Sequence, residues 1–212
     1  MSESPRRRGR PSTFDRQAAL ALATDLFWRH GFEGTSVAML TEAMGVTPPT
    51  LYAAFGSKEA LYRKALEHYL KVARVGHGRV LREAPSARDA VEAYLRYAAD
   101  HYADPSSPPG CMVANAALQC GQEGATVRDA VADLRTLLFR TFVARVEQGR
   151  LRGELPADID ARALARFYGA VLQGMSVQAA DGATPAMLGE IVDAAMRAWP
   201  AGQTAAALSS AP

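Results

Sequence analysis

The stretch TSVAMLTEAMGVTPPTLYAAFGSKEALYRKAL, Thr35 to Leu66, constrains this chain more than any other. It holds two short apolar-periodic runs joined at Gly45 and followed at once by the start of a longer one. Thr35 or Ser36 offers an N-cap for a helix running to about Met44. Thr47 caps the next, with Pro48 in the first helical position, where a missing N–H costs nothing. Phe55-Gly56 ends that helix, and Ser57 caps another that continues to about Leu81. Val37, Leu40, Met44, Val46, Leu51 and Phe55 are spaced to share one small core, which holds the two short helices at a fixed angle.

The rest of the chain repeats the helical period, and no run alternates as a strand would. Before the segment, Asp15 caps a first helix bearing Leu20, Ala23 and Phe27 on one face and ending at Gly31. After it, Ala84-Pro85 breaks the pattern, and Ser86 with Asp89 resembles a capping box for helix five. The loop from Asp104 to Gly110 leads to helix six, Met112 to Cys120. Helix seven carries Val127, Val131, Leu134, Leu138 and Phe142 as one stripe, and a loop is expected from Gly149 to Pro156. Helix eight runs from about Asp160 to Ala179, and helix nine opens on Thr184-Pro185 and ends before Pro200. The expectation is an all-α protein of about nine helices. Its parts are a basic arm at 1–13, a helix-turn-helix unit at 14–56, a helical block at 57–200 whose first helix (57–82) joins the two, and a tail at 201–212.

A net charge of +2 says nothing about partners, but its distribution does. Arg6, Arg7, Arg8 and Arg10 crowd the start, and Arg8-Gly9-Arg10-Pro11 has the form of a minor-groove hook. Two cysteines are too few for a disulfide framework, and no run approaches 18 apolar residues, so a cytoplasmic protein without a membrane span is expected.

The helix-turn-helix unit suits DNA, because such a unit offers one helix to the major groove and uses the others to grip phosphates. Thr47, Thr50 and Tyr52 project polar groups from the side opposite the small core. Thr35, Ser36 and Lys58 lie at helix N-termini, where free N–H groups and the dipole favour a phosphate. Arg8 and Arg10 add minor-groove or phosphate contact.

The runs ALATDLFWRHGFEGTSVAMLTEAMGV and TLYAAFGSKEALY resemble the N-terminal pattern of the tetracycline-repressor (TetR-like) family of bacterial transcription regulators, from Phe14 to about Leu66. The resemblance implies a homodimer on an inverted-repeat operator in double-stranded DNA, its recognition helices about 34–36 Å apart in successive major grooves. It implies phosphate contacts for Thr35, Thr50, Tyr52 and Lys58, base contacts for Thr47 and its neighbour Pro48, and a small-molecule effector site in the second block. The chain departs from the family at Pro48-Pro49, where Lys or Gly is common, and at Ala53-Ala54, where an aromatic or histidine pair is common.

The second block has no hydrolase, metalloprotease or phosphate-loop motif, and its histidines are scattered, so no enzyme activity, cofactor or metal is expected. Tyr94, Tyr97 and His101, with Met112, Asn115, Phe139 and Phe142, are candidates to line an apolar effector pocket. Phe167, Val171, Gly174 and Met175 on helix eight and Met187, Ile191 and Ala195 on helix nine make the apolar stripes expected of a dimer interface. Cys111, at the start of helix six, stands where a helix dipole would favour oxidation or adduct formation. The function expected is a ligand-responsive repressor. Its alternatives are a redox or electrophile sensor acting through Cys111, an effector-free architectural DNA-binding protein, and an adaptor for another protein.

Overall fold

The computed structural model describes residues 14–116 and 125–200. The arm with Arg8 and Arg10, the tail from 201, and the end of helix six with Cys120 lie outside the described residues.

The described residues form nine α-helices and no strand. Helix α1 (Arg16–Gly34) opens on Asp15, whose carboxylate accepts from the N–H groups of Gln17 and Ala18. It breaks at Gly31, where φ is 70°. Helix α2 (Val37–Met44) is capped by Ser36, which accepts from Met39 N–H at 3.1 Å, and ends on left-handed Gly45. Helix α3 (Pro48–Phe55) follows, and Ser57 caps α4 (Lys58–Glu83) by accepting from Ala60 N–H. Half of the expected capping box forms: Ser86 accepts from Asp89 N–H at the head of α5 (Ala87–Tyr102), while the Asp89 carboxylate accepts from the Ser86 hydroxyl and not from its backbone N–H.

The described part of helix α6 is Met112–Asn115, with Cys111 at its head. Helix α7 (Ala125–Leu151) runs past the loop expected from Gly149. Gly149 stays helical because close packing requires it there: an added Cβ would stand 2.5 Å from Ala87 Cβ. Helix α8 (Ala161–Ala180) begins where expected, with Asp160 as its cap, and α9 (Pro185–Arg197) begins on its expected cap, Thr184.

Two apolar cores share α4. In the first, Phe27 and Phe32 of α1 meet Leu40 of α2, Leu51 and Phe55 of α3, and Leu61, Tyr62 and Leu66 of α4. Phe27 and Tyr62 meet edge to face with centroids 4.9 Å apart. The second core joins Leu81 at the far end of α4 to α5, α7, α8 and α9. That far end is clamped by Arg145 of α7, a buried guanidinium whose Nε donates to Leu81 O at 3.2 Å and Nη2 to Ala84 O at 3.1 Å. A cation on the last carbonyls of a helix answers both the unpaired acceptors and the dipole.

Between the cores, Trp28 of α1 packs edge-on against Tyr69 of α4 at 4.8 Å and lies 5.9 Å from His101 of α5, which stacks on Tyr97. Burial holds the His101 imidazole below its ordinary pKa near 6.5, with Asp104 partly opposing.

Two outcomes are expected. Replacing Arg145 by Ala strips two carbonyls of a charged donor and should cost about 2–4 kcal/mol in urea unfolding. Because His101 is neutral in the fold and binds its proton more readily when unfolded, its contribution is complete above pH 6.5 and is lost as pH falls below it. The drop in midpoint between pH 7 and 5.5 should therefore shrink in His101→Gln.

Candidate nucleic-acid interface and internal cavity

The outer side of α3 is open to solvent: Thr47, Pro48, Pro49, Thr50, Tyr52 and Ala53 are all exposed, Tyr52 at 44%. Its inner side supplies Leu51 and Phe55 to the core, so the helix cannot turn over without exposing both. Thr47 does not cap a backbone N–H; its hydroxyl is 3.0 Å from that of Thr50, making a paired hydroxyl platform. Pro48 and Pro49 remove two of the free N–H groups a helix normally presents there. Contact from this turn therefore falls to side-chain hydroxyls and to apolar proline faces, the latter suited to thymine methyls.

The neighbouring residues divide. Ser36 is exposed at the N-terminus of α2. Thr35, expected on a phosphate, is fully buried instead, its hydroxyl donating to Gly31 O at 2.7 Å. That bond closes the α1 kink and takes the side chain off the surface. Lys58 is half-buried, with Nζ 4.4 Å from the Phe32 ring centroid, and desolvation lowers its pKa.

The second block encloses a cavity of about 700 Å³ between α4 and α8, open at one side. Tyr94, Phe139 and Phe142 line it as expected. Tyr97 and His101 do not; they belong to the aromatic stack against Trp28. Met112 also falls outside the lining because it is buried in the first core. Asn115 is used structurally: its Oδ1 accepts from Ser176 Oγ at 2.9 Å, and that oxygen accepts from Cys111 N–H at 2.8 Å. Gly110 makes this possible, since its φ is 75° and an added Cβ would meet Ser176 O at 2.6 Å.

Residues not anticipated complete the cavity: Tyr69 and Tyr102, Cys111, Gln173, and Arg135, Arg140, Arg162 and Arg166. Tyr69 donates to Cys111 Sγ at 3.4 Å. Burial first, and the neighbouring Cys111 second, push Tyr69, Tyr94 and Tyr102 above the usual phenol range, so all three stay protonated donors. The sequence signal for the arginine lining was available: Arg162 and Arg166 are like charges one turn apart. Nothing local to the sequence marks Tyr69, which enters through the long α4.

The expected dimer stripe also divides. Phe167 and Met187 are exposed at 44% and 51%, and Gly174 faces open space. Val171 and Ile191 are half-buried against the second core. Met175 and Ala195 are buried within the subunit, Ala195 O accepting from the Tyr168 hydroxyl at 3.1 Å. The helical stripe read correctly as apolar thus has two sides, and Val177, exposed at 40%, belongs to the outer one.

Comparison with known proteins agrees with this geometry. The family described as "Bacterial regulatory proteins, tetR family" matches residues 19–65, and "Tetracyclin repressor-like, C-terminal domain" matches 85–198. The chain is 36% identical to the HTH-type transcriptional repressor ComR of Escherichia coli (strain K12), over 91% of this chain and 92% of that one. It is 28% identical to the repressor BdcR of the same organism, over 87% and 92%. Among solved structures, the TetR family regulator CifR, a cysteine mutant complexed with 26-bp double-strand operator DNA, superposes with a TM-score of 0.85 at 47% identity, covering 91% of this chain and all of that one. With an outward-facing α3 ahead of a helical cavity, and with both halves matched, the chain belongs to the tetR family of bacterial transcription regulators.

Proposed function

We propose that this chain acts in the cytoplasm as a homodimeric repressor which a small molecule, entering the α4–α8 cavity, releases from an inverted-repeat operator in double-stranded DNA. CifR binds operator DNA, and ComR and BdcR are repressors. The observation that carries the ligand response is Tyr69. Its ring packs on Trp28 of the DNA-reading half, while its hydroxyl lies in the cavity wall on Cys111. A ligand that moves Tyr69 therefore moves α4 against α1. With the far end of α4 held by Arg145, the near end swings, and the two α3 helices of a dimer no longer match both half-sites. A coupling of about 2–3 kcal/mol weakens the complex roughly 30- to 150-fold. Dimerisation is assigned to the outer side of α8 and α9, through Phe167, Gly174, Val177 and Met187.

Contacts to DNA are assigned to Thr47, Pro48, Thr50 and Tyr52 of the α3 side, Ser36 and Lys58 at helix N-termini, and Arg8 and Arg10 of the arm. On a duplex selected from a random pool, Tyr52→Phe should weaken binding by about 1 kcal/mol, roughly fivefold. Deleting residues 1–10 should lower the salt slope by about 0.9 for each phosphate that the arm neutralises. Both are read by fluorescence anisotropy across a salt series, and an unchanged slope removes the arm from the interface.

A second reading, release by an electrophile, is favoured by the position of the Cys111 thiol in the cavity wall beside the Tyr69 hydroxyl. Adding N-ethylmaleimide to a Cys120→Ser protein should weaken operator binding at least about fivefold. Cys111→Ser in the same background should be indifferent to the reagent. Equal release in both proteins would remove Cys111 from any sensing role.

A further inference from the structure

The charge around the cavity is one-sided. Arg135 and Arg140 of α7 and Arg162 and Arg166 of α8 line it, and among the described residues no aspartate or glutamate does. Arg162 and Arg166 repel each other across one helical turn. Both nonetheless lie against the same ring: Phe139 has Arg166 Cζ at 4.9 Å and Arg162 Cζ at 5.8 Å from its centroid. Ion pairs among the described residues engage other arginines, such as Arg96 with Glu92 and Asp193, and none of these four. Both are exposed, so solvent screens their repulsion, and an incoming anion would meet two guanidiniums that form no ion pair among the described residues.

Deeper in, the wall changes character. Leu70, Val113 and Phe142 present apolar surface, while buried Tyr94 and Tyr102 offer neutral hydroxyls. A cationic ligand would meet four positive charges, and a wholly apolar one would leave the guanidiniums unanswered.

Resting on the reading of this cavity as the effector site, we infer that the effector is an amphiphilic oxyanion. Its apolar body lies between α4 and α7, and its carboxylate or phosphate head is held by the forked guanidiniums of Arg162 and Arg166.

The test uses the full chain and three probes of equal length: decanoate, decyl phosphate and decanol, titrated by calorimetry. At least one anion should bind about tenfold or more tighter than decanol, the range expected of hydrogen bonds to charged groups. The double variant Arg162→Gln/Arg166→Gln should lose that advantage and keep its decanol affinity, which shows the cavity intact. Whichever anion binds tighter identifies the head group. Equal binding of anions and decanol, binding of none of the three, or a preference that survives in the double variant overturns the assignment. Operator release is measured in parallel. Anion preference without release leaves the ligand class standing and removes the effector reading, whereas release by decanol alone keeps the effector reading and overturns the anion.

Discussion

Helix α4 must satisfy two cores with one rigid rod. Its first half gives Leu61, Tyr62 and Leu66 to the core shared with α1, α2 and α3, and its end gives Leu81 to the core of the second block. A 26-residue helix cannot bend to please both independently, so any shift at one end is felt at the other. Arg145 ties the far end down through Leu81 O and Ala84 O. In the proposed mechanism the DNA-reading end is the one that moves.

That arrangement explains why the cavity lies where it does. Tyr69 stands near the middle of the rod, touching Trp28 on one side and Cys111 on the other. In the proposed mechanism a ligand there acts on the middle of a long helix. The cavity differs from the cores beside it in carrying four guanidiniums in its wall. On the opposite end, α3 keeps hydroxyls, two prolines and a tyrosine on its open side while Leu51 and Phe55 anchor it.

Much of the fold was legible because it is written locally. Asp15, Ser36, Ser57, Ser86, Asp160 and Thr184 each cap the helix they precede, and a cap needs only its own next three residues. The open face of α3 was legible for the same reason, since period 3.6 separates Leu51 and Phe55 from Thr50 and Tyr52. Errors arose where a kink or a neighbouring element overrode the helical period. Gly149 reads as a loop residue until Ala87 packs against it. Thr35 reads as a surface hydroxyl until the α1 kink turns Gly31 O towards it. His101 and Tyr97 share a helix face with Tyr94, yet His101 meets Trp28, Tyr97 stacks on His101, and the cavity takes only Tyr94.

By itself, the sequence determined nine helices' worth of periodicity, their caps, and the pattern that identifies a DNA-reading unit, because each depends on spacings of a few residues. It also placed apolar stripes on α8 and α9, but periodicity gives only a direction around a helix and cannot say what waits there. Tertiary structure decided that Met175 and Ala195 face the subunit's own core while Phe167 and Met187 face outward. It also decided that two arginines of α8 meet one ring of α7 and that Tyr69 joins the cavity to α1. Those meetings bring together residues dozens of positions apart, and only the packing of whole helices sets them.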